Sequence, residues 1–183
     1  MSAPVCENIV LVGFMGSGKS SVGRLVARTL RGRFVDTDRL VVDRAGREIA
    51  EIFATHGEAH FRQEESRALR SLVGGSRLVV ATGGGIVTVP ENLPLLKELG
   101  FVVWLMASEE VIWQRVSRNT KRPLLHTENP RETVHALLNL RNPLYEAAAD
   151  LKVDTTTLTH AQVAERICER VVARKGSGPK GGV

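Results

Sequence analysis

Apolar positions along this chain follow two rhythms. Short unbroken runs, Ile9–Val12, Leu78–Ala81 and Phe101–Leu105, read as buried strands, and Arg33–Asp36 and Leu151–Asp154 add two more short ones. Between the runs, apolar residues return at three- and four-residue spacing. Val22, Leu25, Val26, Ala27 and Leu30 share one face of a helix over 20–30. Further helices are predicted over 39–45, stopped by Gly46; over 49–53, closed by Gly57; and over 58–72, ending at Gly74-Gly75. Others run over 90–99, stopped by Gly100, and from the cap Ser108 to about Arg118. The last two span 131–149, interrupted by Pro143, and 160–174. Residues 119–130 lack periodicity and read as a loop.

Five strands alternating with helices imply a three-layer α/β/α domain around a five-stranded parallel sheet. The expected domain covers 1–174, with 175–183 a disordered basic tail rich in Gly and Lys. Two stretches fall outside the strand–helix rhythm, the helical segment after Asp38 and the loop around Arg122. Insertions of that kind in an α/β core are where substrate segments and lids sit.

Composition narrows the picture modestly. With 43% hydrophobic residues and 4% aromatics, the core must be mostly Val, Leu, Ile and Ala. The net charge of +5 is spread over scattered arginines, with no basic block outside the tail and no interleaved aromatics. Small anions are therefore favoured over nucleic acid as partners. Cys6 and Cys168 are far apart in sequence, and no zinc-ligand spacing occurs, as expected of a cytoplasmic protein with reduced thiols. No signal-peptide pattern is seen at the N-terminus, and Ile9–Val12 is too short to span a membrane.

The chemistry begins at Gly13-x-x-x-x-Gly18-Lys19-Ser20, set between a strand and a helix. Glycines there let backbone N–H groups turn inward, and the helix that follows directs its positive end at an anion. This is a phosphate-binding loop: Lys19 suits the β- and γ-phosphates of a nucleoside triphosphate, and the Ser20 hydroxyl suits Mg²⁺. No Asn-Lys-x-Asp base-reading motif follows, which argues against a GTPase. The strand ending at Ala81 is followed by Thr82 and three glycines instead of an acidic pair, so Asp36 is the candidate carboxylate behind the metal. Asp36 and Asp38 could equally cap the next helix; their spacing along an extended segment points both toward one site. Gly83-Gly84-Gly85 is either a plain turn or a place where backbone meets a ligand. Arg62, Arg122 and Arg141 could be solvated surface residues or forks for carboxylate and phosphate oxygens.

Taken in order, Gly13–Ser20, Asp36-Thr37-Asp38, Phe61-Arg62 with Glu65, Gly83–Gly85, Arg122-Pro123-Leu124 and Arg141-x-Pro143-Leu144-Tyr145 resemble the shikimate kinase family over nearly the whole chain. The resemblance implies transfer of the ATP γ-phosphoryl to the 3-hydroxyl of shikimate, with Mg²⁺, by a cytoplasmic monomer of P-loop kinase fold. It implies a nucleotide site of Gly16, Ser17, Gly18, Lys19, Ser20, Ser21, Arg115, Arg122 and Thr156, and a metal site of Ser20 and Asp36. It places Asp38, Phe53, Phe61, Arg62, Gly83, Gly84, Gly85 and Arg141 at the acceptor, within a segment of about 37–65 and under a lid of about 117–130. Asp38 would be the base, Lys19 and Arg122 would act on the phosphates, and Glu65 would hold Arg62. Ser21 stands where many members carry Thr. Rival readings are another small-metabolite kinase, such as a gluconate or nucleoside-monophosphate kinase, or, from another class, a non-enzymatic nucleotide switch or a nucleic-acid-binding ATPase.

Overall fold

The computed structural model describes residues 8–118 and 123–176. Its centre is a five-stranded parallel sheet in the order β2-β3-β1-β4-β5. The strands are β1 (Ile9–Val12), β2 (Arg33–Asp36), β3 (Leu78–Ala81), β4 (Phe101–Met106) and β5 (Leu151–Asp154). β1 pairs with β3 on one side and β4 on the other, in register Val10 with Val80 and Val102. It is the middle strand and every residue of it is buried. That is why it is apolar throughout, while β2 and β5, at the two edges, carry Arg33 and Lys152.

Strand side chains alternate between faces, and each face has its own cover. Val10, Val12, Val80, Val102 and Trp104 pack against α3 (Ile49–Arg70), α4 (Asn92–Leu99), α5 (Glu109–Val116) and α6 (Pro130–Ala148). Ile9, Leu11, Val79, Val103 and Leu105 pack against α1 (Lys19–Thr29) and α7 (His160–Gly176). The three expected layers follow from this parity. A third, small cluster of Val41, Ile52, Phe61 and Ala68 joins α2 (Thr37–Ala45) to α3 beyond the edge of the sheet. It anchors the helical insertion that follows Asp38.

Three expectations need correcting. Asp36 and Asp38 do not share an extended segment: Asp36 ends β2, and α2 starts at Thr37. The cause is the Asp36 carboxylate, which accepts the Asp38 N–H at 3.1 Å and caps the helix. Pro143 does not interrupt α6, which runs through it. Proline removes one helical donor, but Leu138, Arg141, Tyr145 and Ala148 are buried on either side and hold the helix together. The helix α7 extends to Gly176, so the first two residues of the expected tail are helical. The rest of that tail, and Arg122 with residues 119–121 of the expected lid, lie outside the described residues. Where α3 was read as two helices meeting at Gly57, the backbone there leaves helical geometry at φ 79°, ψ 173°.

Candidate active site

The loop after β1 is shaped by glycines at positions where a side chain cannot go. A Cβ on Gly13, at φ 141°, would sit 2.5 Å from the Leu105 carbonyl oxygen of β4. Gly18 caps α1 in the left-handed region at φ 95°. The buried Lys19 ammonium folds back and donates to the carbonyls of Gly13 and Phe14, both at 2.8 Å. The Ser20 hydroxyl donates to Asp36 Oδ2 at 2.7 Å. Asp36 thus caps α2 with one oxygen and meets the phosphate loop with the other.

A cavity of about 380 Å³ extends from Lys19, Ser20 and Asp36 to Arg115 and His160. Arg115 is tied down rather than loose. Its guanidinium donates to the Gly16 carbonyl at 3.2 Å and to the Thr155 carbonyl at 3.1 Å, bracing α5 against the loop after β5. Gly16, Gly18 and Ser21 also lie on the wall. Ser17 and Thr156 do not. Ser17 is buried within the loop, and the Thr156 hydroxyl accepts the Ser108 N–H at 3.0 Å. His160 was missed because nothing in the sequence around it signals a site. It reaches the loop as the first residue of α7, with its ring against the Gly18 α-carbon.

A second cavity, of about 110 Å³, adjoins the first, and Met15, Asp38 and Gly84 line both. Phe53 and Phe61, with ring centroids 4.9 Å apart, form one wall, and Pro123 and Leu124 another. Arg62 and Arg141 also line it, brought together from α3 and α6. Arg62 is gripped by two carboxylates of its own helix, Glu65 at 2.5 Å and Glu58 at 2.7 Å. Burial works against its charge, but those two partners more than compensate and raise its pKa. Arg141 is 2% exposed and makes no direct ion pair among the described residues; burial, aided by Arg62, presses its pKa down against the pull of Tyr145 and Glu58. One terminal nitrogen lies 3.4 Å from the Gly84 carbonyl, and its buried Nε has no hydrogen-bond acceptor among the described residues. A guanidinium so placed is matched to an incoming anion.

The three glycines play different parts. Gly84 presents its carbonyl to Arg141 and to the buried Tyr145 hydroxyl, which donates to it. A Cβ on Gly83 would fall 1.9 Å from Glu65 Oε1 and 2.6 Å from Asp38 Oδ1. On Gly85 it would fall 2.1 Å from an Arg62 nitrogen. Gly83 and Gly85 are small because charged side chains pack directly over their backbone. Glu58 was the other miss, and Tyr145, named in the Arg141–Tyr145 motif, carried no role there. Glu58 stands one helical turn before Arg62, a spacing that signals the pair, and Tyr145 stands one turn after Arg141.

A family model described as "Shikimate kinase" matches residues 15–172. The chain belongs to the shikimate kinase family. A shikimate kinase of Thermodesulfovibrio yellowstonii is 48% identical over 161 residues, covering 88% of this chain and 92% of that protein. One of Geobacter sulfurreducens is 53% identical over 149 residues, covering 81% of this chain and 82% of that protein. The structure of shikimate kinase from Acinetobacter baumannii in complex with shikimate superposes with a TM-score of 0.89 at 38% identity, over 92% of this chain and 94% of that one. A gluconokinase from Sinorhizobium meliloti has a TM-score of 0.59 at 19% identity, over 94% and 99% of the two chains, which shows a shared fold only. Within the shikimate kinase family, then, this member carries the phosphate loop and the paired arginines in two adjoining cavities.

Proposed function

We propose that this shikimate kinase transfers the γ-phosphoryl of ATP to the 3-hydroxyl of shikimate, giving shikimate 3-phosphate and ADP. One observation carries the assignment of the two sites: the small cavity with Arg62 and Arg141 meets the phosphate-loop cavity at Asp38 and Gly84. An acceptor held by its carboxylate at the two arginines would direct a hydroxyl toward that junction. Phosphoryl transfer asks chiefly for such positioning, because the protein forms no covalent bond to the phosphoryl group.

The roles then follow from chemistry. Asp38 accepts the proton of the attacking hydroxyl. Lys19 and the loop N–H groups hold the phosphates, and Arg115 and His160 border the far end of the nucleotide cavity. Glu65 and Glu58 fix the Arg62 fork, and the Gly84 carbonyl and Tyr145 fix Arg141. Phe53 and Phe61 keep water from the acceptor pocket, and Arg122, by family resemblance, completes it from the lid. The Ser20 hydroxyl and Asp36 carboxylate are hard oxygen donors, 2.7 Å apart, facing a roomy polar cavity, and they suit Mg²⁺. When bound, Mg²⁺ would neutralise phosphate charge there.

A cytoplasmic monomer belongs to the same reading. Among the described residues no helix is long and apolar enough to cross a membrane, and Cys168 is buried. The direct test is ATP consumption with shikimate, gluconate and nucleoside monophosphates offered in turn. Consumption that depends on shikimate alone is expected. Stimulation by gluconate, a nucleotide or a nucleic acid, with none by shikimate, would overturn the assignment.

A further inference from the structure

Glu65 is an unusual residue to find beneath an anion-binding pocket. It is 1% exposed, among the most buried polar groups of the protein. Only one of its oxygens is used: Oε2 receives the Arg62 guanidinium, while the buried Oε1 has no hydrogen-bond donor among the described residues. That orphan oxygen is pressed against the Gly83 α-carbon, at the same point that Asp38 Oδ1 approaches from α2. A buried carboxylate oxygen with no donor, next to a second carboxylate, is a place for a proton.

We propose that Glu65 is a proton-linked element of the acceptor site, taking up a proton when a carboxylate ligand seats against Arg62 and Arg141. The proposal rests on the reading that those two arginines receive the acceptor's carboxylate. The charged and titratable groups facing Glu65 are Arg62 and Glu58 on its own helix, Asp38 on α2, and Arg141 and Tyr145 on α6. Burial pushes the Glu65 carboxyl up to about 7; Arg62 pulls against this and Asp38 adds to it. In the empty site Glu65 thus exchanges its proton near neutrality. A bound carboxylate adds a further negative charge to the same cluster, shares the guanidinium that Glu65 relies on, and excludes water. Each of the three favours the neutral acid. Once protonated on Oε1, Glu65 keeps its contact with Arg62 through Oε2. The ion pair is traded for a neutral acceptor and the fork is released toward the ligand. The linkage has a definite sign. Binding is tightest where Glu65 is already protonated and weakens as pH rises above about 7.

Calorimetry of shikimate binding to the full chain, in paired buffers of different ionisation enthalpy, reads the proton directly. About half a proton should be taken up per shikimate at pH 7, more at pH 8 and almost none at pH 5.5, where the ligand carboxylate is still ionised. The Kd should rise roughly five- to tenfold between pH 6 and pH 8. Glu65→Gln keeps the shape and the acceptor oxygen but cannot titrate; its uptake should vanish and its Kd stay flat over that range. The methyl ester of shikimate, which brings no charge, should bind to the wild type without the uptake. Shikimate binding without proton uptake at pH 7 and 8 overturns the proposal, as does unchanged uptake in Glu65→Gln. Should that variant fail to fold, equal uptake with acid and ester in the wild type overturns it, and uptake confined to the acid supports it. Absence of any shikimate binding would instead remove the carboxylate reading beneath it, a result distinct from binding without protons.

Discussion

Adding one methyl group at Gly85 tests how the acceptor pocket is built. The backbone there, φ −101° and ψ 3°, is open to any residue, so Gly85→Ala introduces no backbone strain. What it introduces is a Cβ 2.1–2.5 Å from three atoms of the Arg62 guanidinium, where contacts should exceed about 3.4 Å. Arg62 is the far end of a flexible side chain and can move aside; the backbone need not. Moving aside breaks its fit to Glu65 and Glu58 and takes the fork off the pocket wall. Losing a charge-assisted hydrogen bond to the ligand costs about 1.5–3 kcal/mol, a rise of roughly ten- to 150-fold in the KM for shikimate. The nucleotide cavity does not include Gly85, so the KM for ATP should stay within about twofold of wild type. Displacing Arg62 also leaves the buried Glu65 without its partner, so the melting temperature should fall, offset by only about 0.4–1 kcal/mol that alanine recovers from the unfolded state. Initial rates with each substrate varied in turn, alongside thermal unfolding, measure both sides. A folded variant with an unchanged KM for shikimate, or with both KM values raised equally, would refute the claim that this glycine exists to seat Arg62.

Four other substitutions probe separate links. Asp38→Asn should lower kcat by roughly 10²- to 10⁴-fold while ATP binding, followed by titration, persists; near-normal turnover would exclude Asp38 as the base. Asp36→Asn keeps a good helix cap, so the melting temperature should hold while the Mg²⁺ needed for half-maximal rate rises roughly tenfold. Tyr145→Phe removes the hydroxyl that donates to the Gly84 carbonyl. About 1 kcal/mol of stability should be lost, or ~2–4 °C in Tm, with a weaker hold on shikimate. Glu65 also governs stability against pH. Its folded pKa is raised from 4.5 to about 7, so its contribution is fully present below 4.5 and lost as pH rises through 7. In urea unfolding the wild type should therefore lose roughly 3 kcal/mol relative to Glu65→Gln between pH 4.5 and pH 8. A constant difference would show that the carboxyl is not buried as described.

Local sequence was enough for the sheet, because a strand covered on both faces must be apolar and each helix must show a stripe. It was enough for the phosphate loop as well. Gly13, Gly18, Lys19 and Ser20 act within one strand–loop–helix unit, and the backbone there depends on near neighbours. Pro143 and the start of α2 were misjudged for complementary reasons. Packing of Leu138 and Tyr145 overrides one proline's missing donor, and one carboxylate's capping bond moves a helix end by two residues. What sequence spacing could not supply is the convergence of Arg62 on α3, Arg141 on α6 and the Gly83–Gly85 turn after β3. Only the crossover connections of the parallel sheet bring these separate segments to one end of it. Nor could residue identity reveal that Gly83 and Gly85 are small to admit Glu65 and Arg62, that His160 borders the phosphate-loop cavity, or that burial pushes the Glu65 carboxyl up to about 7. Close approach and desolvation are properties of surroundings. For a carboxyl whose ordinary pKa lies near 4.5, the surroundings come from three helices, α2, α3 and α6, and the Gly83 turn, and they exist only once the chain has folded.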